Sequence, residues 1–384
     1  MTQLTAPIIF DELITQDGYT IGRITLASPK SLNALAISMI GPMTDQLLLW
    51  ANNPEIMAIW LEGEGEKAFC AGGDIIDLYH SMKAAPRGPN PYALDFFSRE
   101  YQLDYLIHTY PKPILCWGTG IVMGGGMGLM QGCSHRIVTE TTRMAMPEIS
   151  IGLFPDVGGT WFLNHMPGKT GLYLGLTGSS INASDALYTR LADHFVPADQ
   201  KQELLDALLK HPWTGKPDVD KANVATLLLS RFEQPGSNRR PAPQVEAHIE
   251  LINRLVSADN LIETTRAIRE LQTEDPWLKK GQRNFLGGCP TSIWLVYEQL
   301  HRGRRLRFSE VFHAELNMAM SCVVHGNFQE GIRALLIDKD NTPRWQHDSV
   351  EAVPKQWIDA HFSYPWPEGA SPLKSMGKPS QPLH

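Results

Sequence analysis

Met123-Gly124-Gly125-Gly126-Met127-Gly128 is the stretch on which the fold turns. It follows a short apolar run, Pro113 to Trp117, that reads as a β-strand. It opens a small-residue helix from about Gly126 to Gly132. A strand that ends in bare glycines and resumes as a helix leaves backbone N–H groups uncovered, because no side chain stands in the way. Such amides stabilise a developing oxyanion. Met146-Pro147-Glu148 and Phe154-Pro155-Asp156-Val157-Gly158-Gly159 follow, and place two carboxylates eight residues apart. Carboxylates handle a water molecule and its protons. The combination points to acyl chemistry at a carbonyl.

The same grammar extends outward. Ile8 to Ile24 predicts a hairpin turning at Gln16-Asp17-Gly18. Ala36 to Ala51 predicts a helix with Met39, Met43, Leu47 and Trp50 on one stripe. Met57 to Glu62 reads as a strand and Phe69 to Gly73 as a strand-ending turn. Asp74 to Met82 reads as a helix with Asp74 at its N-terminus. Phe96 to His108 is helical, and His135 to Thr139 and Met144 to Met146 are strands. Strand, glycine turn and helix in alternation define an α/β architecture. After Pro197 strand signals fade, and Leu204, Leu205, Leu208 and Leu209 begin amphipathic helices that run to Ile337. The expected division is a core at 1–197, a helical region at 198–364, and a poorly ordered Pro-, Ser-, Gly- and Lys-rich tail at 365–384.

The chain has 384 residues, 43% of them hydrophobic and 20% charged, which fits a soluble globular protein. A net charge of −7 gives no sign of nucleic-acid binding, although a local basic patch for an anionic ligand stays open. The five cysteines form no CxxC pair, which argues against a zinc or thioredoxin-like site and fits a reducing cytoplasm. Residues 1–11 lack a signal-peptide pattern, and no run is apolar for 18 residues, so neither export nor a membrane span is expected.

The glycine turn is not a dinucleotide fingerprint. G-x-G-x-x-G read from Gly124 ends on Leu129, and from Gly126 on Gln131. P-loop, H-E-x-x-H and G-x-S-x-G patterns are absent. What remains is a set of free amides, with a second set at Phe69-Cys70-Ala71-Gly72-Gly73-Asp74. Two convergent ends would make a two-donor oxyanion hole; the alternative is that these glycines only permit tight helix packing.

Ser31-Leu32-Asn33-Ala34-Leu35, Ala68-Phe69-Cys70-Ala71-Gly72-Gly73-Asp74, Gly124-Gly125-Gly126 and Ala145-Met146-Pro147-Glu148 resemble the motifs of the crotonase (enoyl-CoA hydratase/isomerase) superfamily. The resemblance implies a spiral of ββα units that binds acyl-CoA thioesters. The carbonyl oxygen would lie between the Gly73 and Gly125 amides, and the CoA near Ser31–Leu35 and Phe69–Gly73. The hydratases of that family carry a glutamate three residues after the oxyanion glycine, where this chain has Gly128. They have glycine where this chain has Asp156. Gly152 to Gly159, Glu100-Tyr101 after Phe96-Phe97, Cys289-Pro290-Thr291-Ser292, and Phe328 to Ala334 leading to Asp338-Lys339-Asp340 resemble instead the superfamily's thioesterase branch. That branch hydrolyses β-hydroxyacyl-CoA esters such as 3-hydroxyisobutyryl-CoA of valine breakdown. The resemblance also implies no cofactor beyond the CoA of the substrate, no metal, and a homo-oligomer.

On that reading Glu148 and Asp156 are catalytic, Gly73 and Gly125 form the oxyanion hole, and Glu100, Gly125, Glu148 and Asp156 bind substrate. Glu148 either deprotonates water or attacks the carbonyl to form a mixed anhydride. Asp156 binds the 3-hydroxyl or orients water. Cys70 reads as a small buried hydrophobe rather than a nucleophile. His108, His135 and His165 read as structural. Lys339 and Arg333 are candidates for the CoA phosphates.

Overall fold

The computed structural model describes residues 6–363, 366 and 371–378. Strands β1 (Ile8–Ile14) and β2 (Thr20–Leu26) form the expected antiparallel hairpin, two residues longer than the sequence indicated; Gly18, at φ +85, makes its turn. Helix α1 (Ile37–Asn52) buries Met39, Met43, Leu47 and Trp50 along the expected stripe. Strand β3 (Ile56–Gly63) is buried along its whole length, as an apolar run in a parallel sheet requires.

From β3 onward the chain climbs as a spiral. β3 joins one sheet and β4 (Ala68–Cys70) a second; helices α2 (Ile76–Ala84) and α3 (Pro91–His108) follow. β5 (Ile114–Gly118) and β6 (Ile121–Met123) repeat the step and lead into α4 (Gly125–Gln131). β7 (His135–Val138) and β8 (Arg143–Ala145) repeat it again, and β9 (His194–Phe195) closes the first sheet. The result is a six-stranded sheet, β1-β2-β3-β5-β7-β9, beside a three-stranded parallel sheet, β4-β6-β8. Each turn thus gives one strand to each sheet. The expected spiral of ββα units is the observed one. β4 and β6, three residues each, are too short to announce themselves by periodicity.

The helical region after residue 197 shares its core with the sheets. Trp60 and Trp117 stack at 5.9 Å on one face of the large sheet, and Leu204, Leu208, Trp213, Val224 and Phe232 close over them. Further helices, Pro290–Gly303, Phe308–His325 and Asn327–Ile332, cover the other side and reach the site described next. The tail expected to be poorly ordered is packed where it is described. Leu373 is 1% exposed, and Gln102 on α3 donates to the Pro372 carbonyl at 3.3 Å. The remainder of that tail, 365, 367–370 and 379–384, lies outside the described residues. No helix is long and apolar enough to cross a membrane among the described residues.

Candidate active site

A cavity of about 210 Å³ opens between the C-terminal ends of β4, β6 and β8, and all five residues singled out in the sequence line it: Gly73, Glu100, Gly125, Glu148 and Asp156. Gly73 follows β4, Gly125 is the first residue of α4, Glu100 sits mid-way along α3, and Glu148 begins the short 3₁₀ turn after β8. The helical region supplies the outer wall through Phe328, Leu335 and Leu336.

The two glycine amides converge. A Cβ on Gly125 would stand 3.3 Å from the Gly73 nitrogen and 2.5 Å from Glu100 Oε1, so any side chain there fills the cavity. Gly72 at φ +118 and Gly124 at φ +49 turn the backbone to present these amides. Neither the Gly73 nor the Gly125 N–H meets an acceptor among the described residues. The Ser31–Leu35 loop is stitched beside them: Leu35 N–H donates to the Gly72 carbonyl at 2.8 Å, and Asp74 N–H to the Leu35 carbonyl at 2.9 Å.

Opposite the amides stand three buried carboxyls. Glu100, Glu148 and Asp156 are 3%, 4% and 5% exposed. Tyr101 Oη donates to Asp156 Oδ2 at 2.8 Å, whereas Glu148 Oε2 has no partner. Burial, and secondly the neighbouring Asp156 charge, hold both Glu148 and Glu100 well above the usual carboxylate range. Burial also pushes Asp156 up to about 6, against the pull of the Tyr101 hydrogen bond. Three buried acids that oppose one another's ionisation can share protons. Such a pocket can hold one carboxylate ionised and basic beside others that donate.

The loop carrying Asp156 is held from the helical region, which the sequence reading did not foresee. Glu315, fully buried, accepts from Gly158 N–H at 2.8 Å and Thr160 N–H at 2.9 Å. Gln299 Nε2 donates to the Pro155 carbonyl at 2.5 Å and to Thr160 Oγ1 at 2.8 Å. These bonds fix Val157 at φ +53 and Gly158 at φ +87. Burial pushes Glu315 up to about 8. The available signal was an acid on the apolar face of a helix, between Phe312 and Ala319.

Other candidates lie elsewhere. Arg333, named for CoA phosphates, is tied to Glu330, Asp338 and Asp340 at 2.8, 2.6 and 2.7 Å, so its charge is already spent within the chain. Lys339 follows in the same loop at φ +55. Cys70 is fully buried and its thiol is pushed up to about 12 by burial, which leaves no thiolate to act. His135 is fixed by Ser134 and the Lys221 carbonyl, the structural role expected of it. Gly128 faces away from the pocket: a Cβ there would stand 2.7 Å from Val157 and 2.9 Å from the Asp104 carboxyl, so α4 brings no acid to the site.

Two interlocked parallel ladders grown from ββα steps, with paired free amides at their strand ends, define an acyl-CoA enzyme architecture, and the chain belongs to the enoyl-CoA hydratase/isomerase family: the family model of that description matches residues 21–362. Among curated relatives, a Gallus gallus protein named 3-hydroxyisobutyryl-CoA hydrolase, mitochondrial, is 38% identical over 366 residues, 95% of this chain and 91% of its own. The Homo sapiens protein of that name is 35% identical over 353 residues, 92% and 88% of the two chains. Among solved structures, a carnitinyl-CoA dehydratase from Mycobacterium thermoresistibile superposes with a TM-score of 0.83 at 29% identity, covering 96% of this chain and 99% of that one. An enoyl-CoA hydratase from Rhodobacter sphaeroides 2.4.1 gives a TM-score of 0.79 at 32% identity, covering 92% and 97%.

Proposed function

We propose that the protein hydrolyses the thioester of a β-hydroxyacyl-CoA, 3-hydroxyisobutyryl-CoA in the first place, to the free acid and CoA. The observation that carries this reading is the pocket itself: two unengaged amides face Glu148, whose Oε2 has no partner, and no second carboxylate comes from α4. The thioester oxygen lies between the Gly73 and Gly125 N–H groups, and the CoA follows the Ser31–Leu35 and Phe69–Gly73 loops. Glu148, made more basic by burial, takes a proton from water as that water attacks, or itself attacks to give an anhydride that water then opens. The C–S bond breaks and CoA leaves as the thiol, its proton being the one Glu148 took from water or, on the anhydride route, one from the water that opens the anhydride. Asp156 and Glu100 receive the 3-hydroxyl, so a substrate lacking it leaves buried polar groups unpaired and reacts more slowly.

Free thiol release from a panel of acyl-CoA esters tests the reading, with 3-hydroxyisobutyryl-CoA expected to be the fastest. The likeness to a solved enoyl-CoA hydratase favours one rival, a hydratase, which would consume crotonyl-CoA absorbance without releasing thiol. A non-catalytic acyl-CoA binder would do neither. Light scattering tests the homo-oligomer that the resemblance implies. The proposed location is a reducing compartment, because all five cysteines are free and buried. The cytoplasm is the sequence reading, whereas the curated relatives' names place them in mitochondria.

A further inference from the structure

The lining of the active pocket is graded, and the grade gives the pocket a direction. Ser150 and Leu335 are exposed, the leucine to 41%, and mark the mouth. Phe96, Phe97, Leu153 and Phe328 are 1%, 2%, 4% and 0% exposed and mark the closed end. The carboxyl proposed to receive the 3-hydroxyl belongs to that end: Phe97 packs on Tyr101 at 5.9 Å, and Tyr101 holds Asp156. At about 210 Å³ the pocket is smaller than the roughly 300–1,000 Å³ of sites that take drug-sized ligands, so its closed end has room for a small group only.

Phe328 closes that end from the helical region. Its ring tilts against Phe97 at 6.4 Å, and Phe97 meets Phe96 edge-on at 5.6 Å. The helix that carries it, Asn327–Ile332, is pressed onto the 3₁₀ turn that Glu148 begins. A Cβ on Gly152 would collide with the Asn327 carbonyl oxygen, and a Cβ on Gly331 with the Ile151 carbonyl oxygen. Asn327 Nδ2 donates to Thr291 Oγ1 at 3.1 Å, and Gln346 N–H donates to Asn327 Oδ1 at 3.0 Å. Backbone packed on backbone leaves Phe328 no room to withdraw unless the Glu148 turn moves with it. Space beyond the partition loop offers no way out either. A second cavity, of about 310 Å³ and with Asp104 in its wall, lies behind the Val157–Gly158 backbone, but it shares no lining residue with the active pocket.

We propose that Phe328 is the end-stop that sets acyl length, so that the pocket admits short β-hydroxyacyl groups and refuses longer ones. This role deepens the thioesterase reading and rests on it for the substrate. One methylene more or less in an apolar pocket is worth about 10- to 200-fold in selectivity, and a stop that cannot retreat puts that penalty on every longer chain. The helical region thereby sizes the substrate as well as bracing the Asp156 loop.

Thiol release by the full chain is measured on 3-hydroxyisobutyryl-CoA and on 3-hydroxyhexanoyl-CoA, which keeps the 3-hydroxyl and lengthens the chain. The parent is expected to favour the shorter ester by about 10²-fold in kcat/KM. Phe328→Ala should cut that preference by about tenfold or more, chiefly through a faster reaction of the longer ester. Should Phe328→Ala fail to fold, Phe328→Leu gives the same test with a smaller shift in the same sense. Leu335→Ala, at the mouth, should leave the preference in place. A merely structural role for Phe328 would slow both esters together and keep their ratio. An unchanged ratio in the folded Phe328 variants, or a parent that takes the longer ester as well as the shorter, overturns the end-stop. A parent that releases no thiol from either ester sinks the thioesterase reading instead. The end-stop is then read by calorimetry with S-propyl-CoA and S-hexyl-CoA, thioethers that bind without reacting. Tighter binding of the propyl ligand to the parent, with the hexyl ligand alone gaining about tenfold in Phe328→Ala, upholds the end-stop, and an equal change for both ligands removes it.

Discussion

The two cavities on either side of Val157–Gly158 are built from the same elements, one helical turn apart. α3 gives Glu100 to the front cavity and Asp104 to the back one; α4 gives Gly125 to the front and Gly128 to the back. Each cavity has a buried carboxyl oxygen without a partner, on Glu148 in front and on Asp104 behind. The difference lies in the backbone. Gly125 N–H is free, whereas Gly128 N–H is already committed to the Gly124 carbonyl at 3.2 Å inside the helix. Gly73 adds its amide to the front only. Buried acid occurs on both sides, but among the described residues the paired free glycine amides lie only in front. Free amides, more than perturbed carboxyls, are what mark the front cavity as the proposed reaction centre.

The sharpest way to break this comparison is Glu148→Gln. Loss of the reacting carboxylate should lower kcat about 10³-fold, while CoA binding stays near its original strength. Thiol release and a separate CoA titration measure the two. A variant that kept its rate would move the chemistry away from the front acid altogether.

Next in size is a matched pair on α4. Gly125→Ala drives a methyl group to 2.5 Å from Glu100 and 3.3 Å from the Gly73 amide, in the space proposed for the acyl oxygen. A fall in kcat/KM of about 10²-fold is expected, the scale of one lost oxyanion donor. Gly128→Ala presses on Val157 and Asp104 instead. Its expected effect is overpacking, about 1–3 kcal/mol of stability, with a smaller loss in rate per folded molecule. Thermal melts beside kinetics normalised to folded protein separate the two. Equal losses of rate would show that the front and back glycines do the same work.

How far these roles were legible in the sequence divides along the same line. Gly73, Gly125, Glu148 and Asp156 sit in contiguous motifs that resemble those of the superfamily, and that resemblance, more than the local backbone pattern, gave them their expected roles. Asp104 and Glu315 were not legible: neither sits in a motif, and although Glu315 lies among apolar residues of its helix, only the packing of α3, α4 and the Phe308–His325 helix shows what either acid faces. The spiral was legible from its repeated steps. The contribution of the helical region to the pocket wall was not, because Phe328 and Leu336 reach the site through contacts more than 150 residues from its other side chains.

Glu315→Gln tests the partition between the cavities. One of the Gly158 and Thr160 amides would face an NH₂ group in place of an acceptor, a loss of about 1–3 kcal/mol. The loosened Asp156 loop should lower kcat by up to about 10²-fold. The pH dependence has a definite sign. With the folded-state value at about 8, this carboxyl's contribution to stability is fully present below the ordinary glutamate range and is lost as pH rises through about 8. Urea midpoints measured between these limits should therefore decline with pH in the parent, and decline less in the variant. A parallel decline in both would remove Glu315 as the cause.

The smallest expected effect lies at the hydrogen bond from Tyr101 to Asp156. That bond favours the ionised form of Asp156 and offsets part of the rise that burial imposes. Tyr101→Phe removes it with little change of shape, so Asp156 should hold its proton to higher pH. A hydrogen bond of about 0.5–1.5 kcal/mol corresponds to roughly 0.5–1 pH unit. On the proposed reading Asp156 receives the substrate hydroxyl best when ionised, so the acid limb of kcat/KM for 3-hydroxyisobutyryl-CoA should move upward by that amount, with the alkaline plateau nearly unchanged. An acid limb that stayed in place in the Phe variant would mean that Glu148 or Glu100 sets it, and that the front cavity titrates through acids the partition loop does not carry.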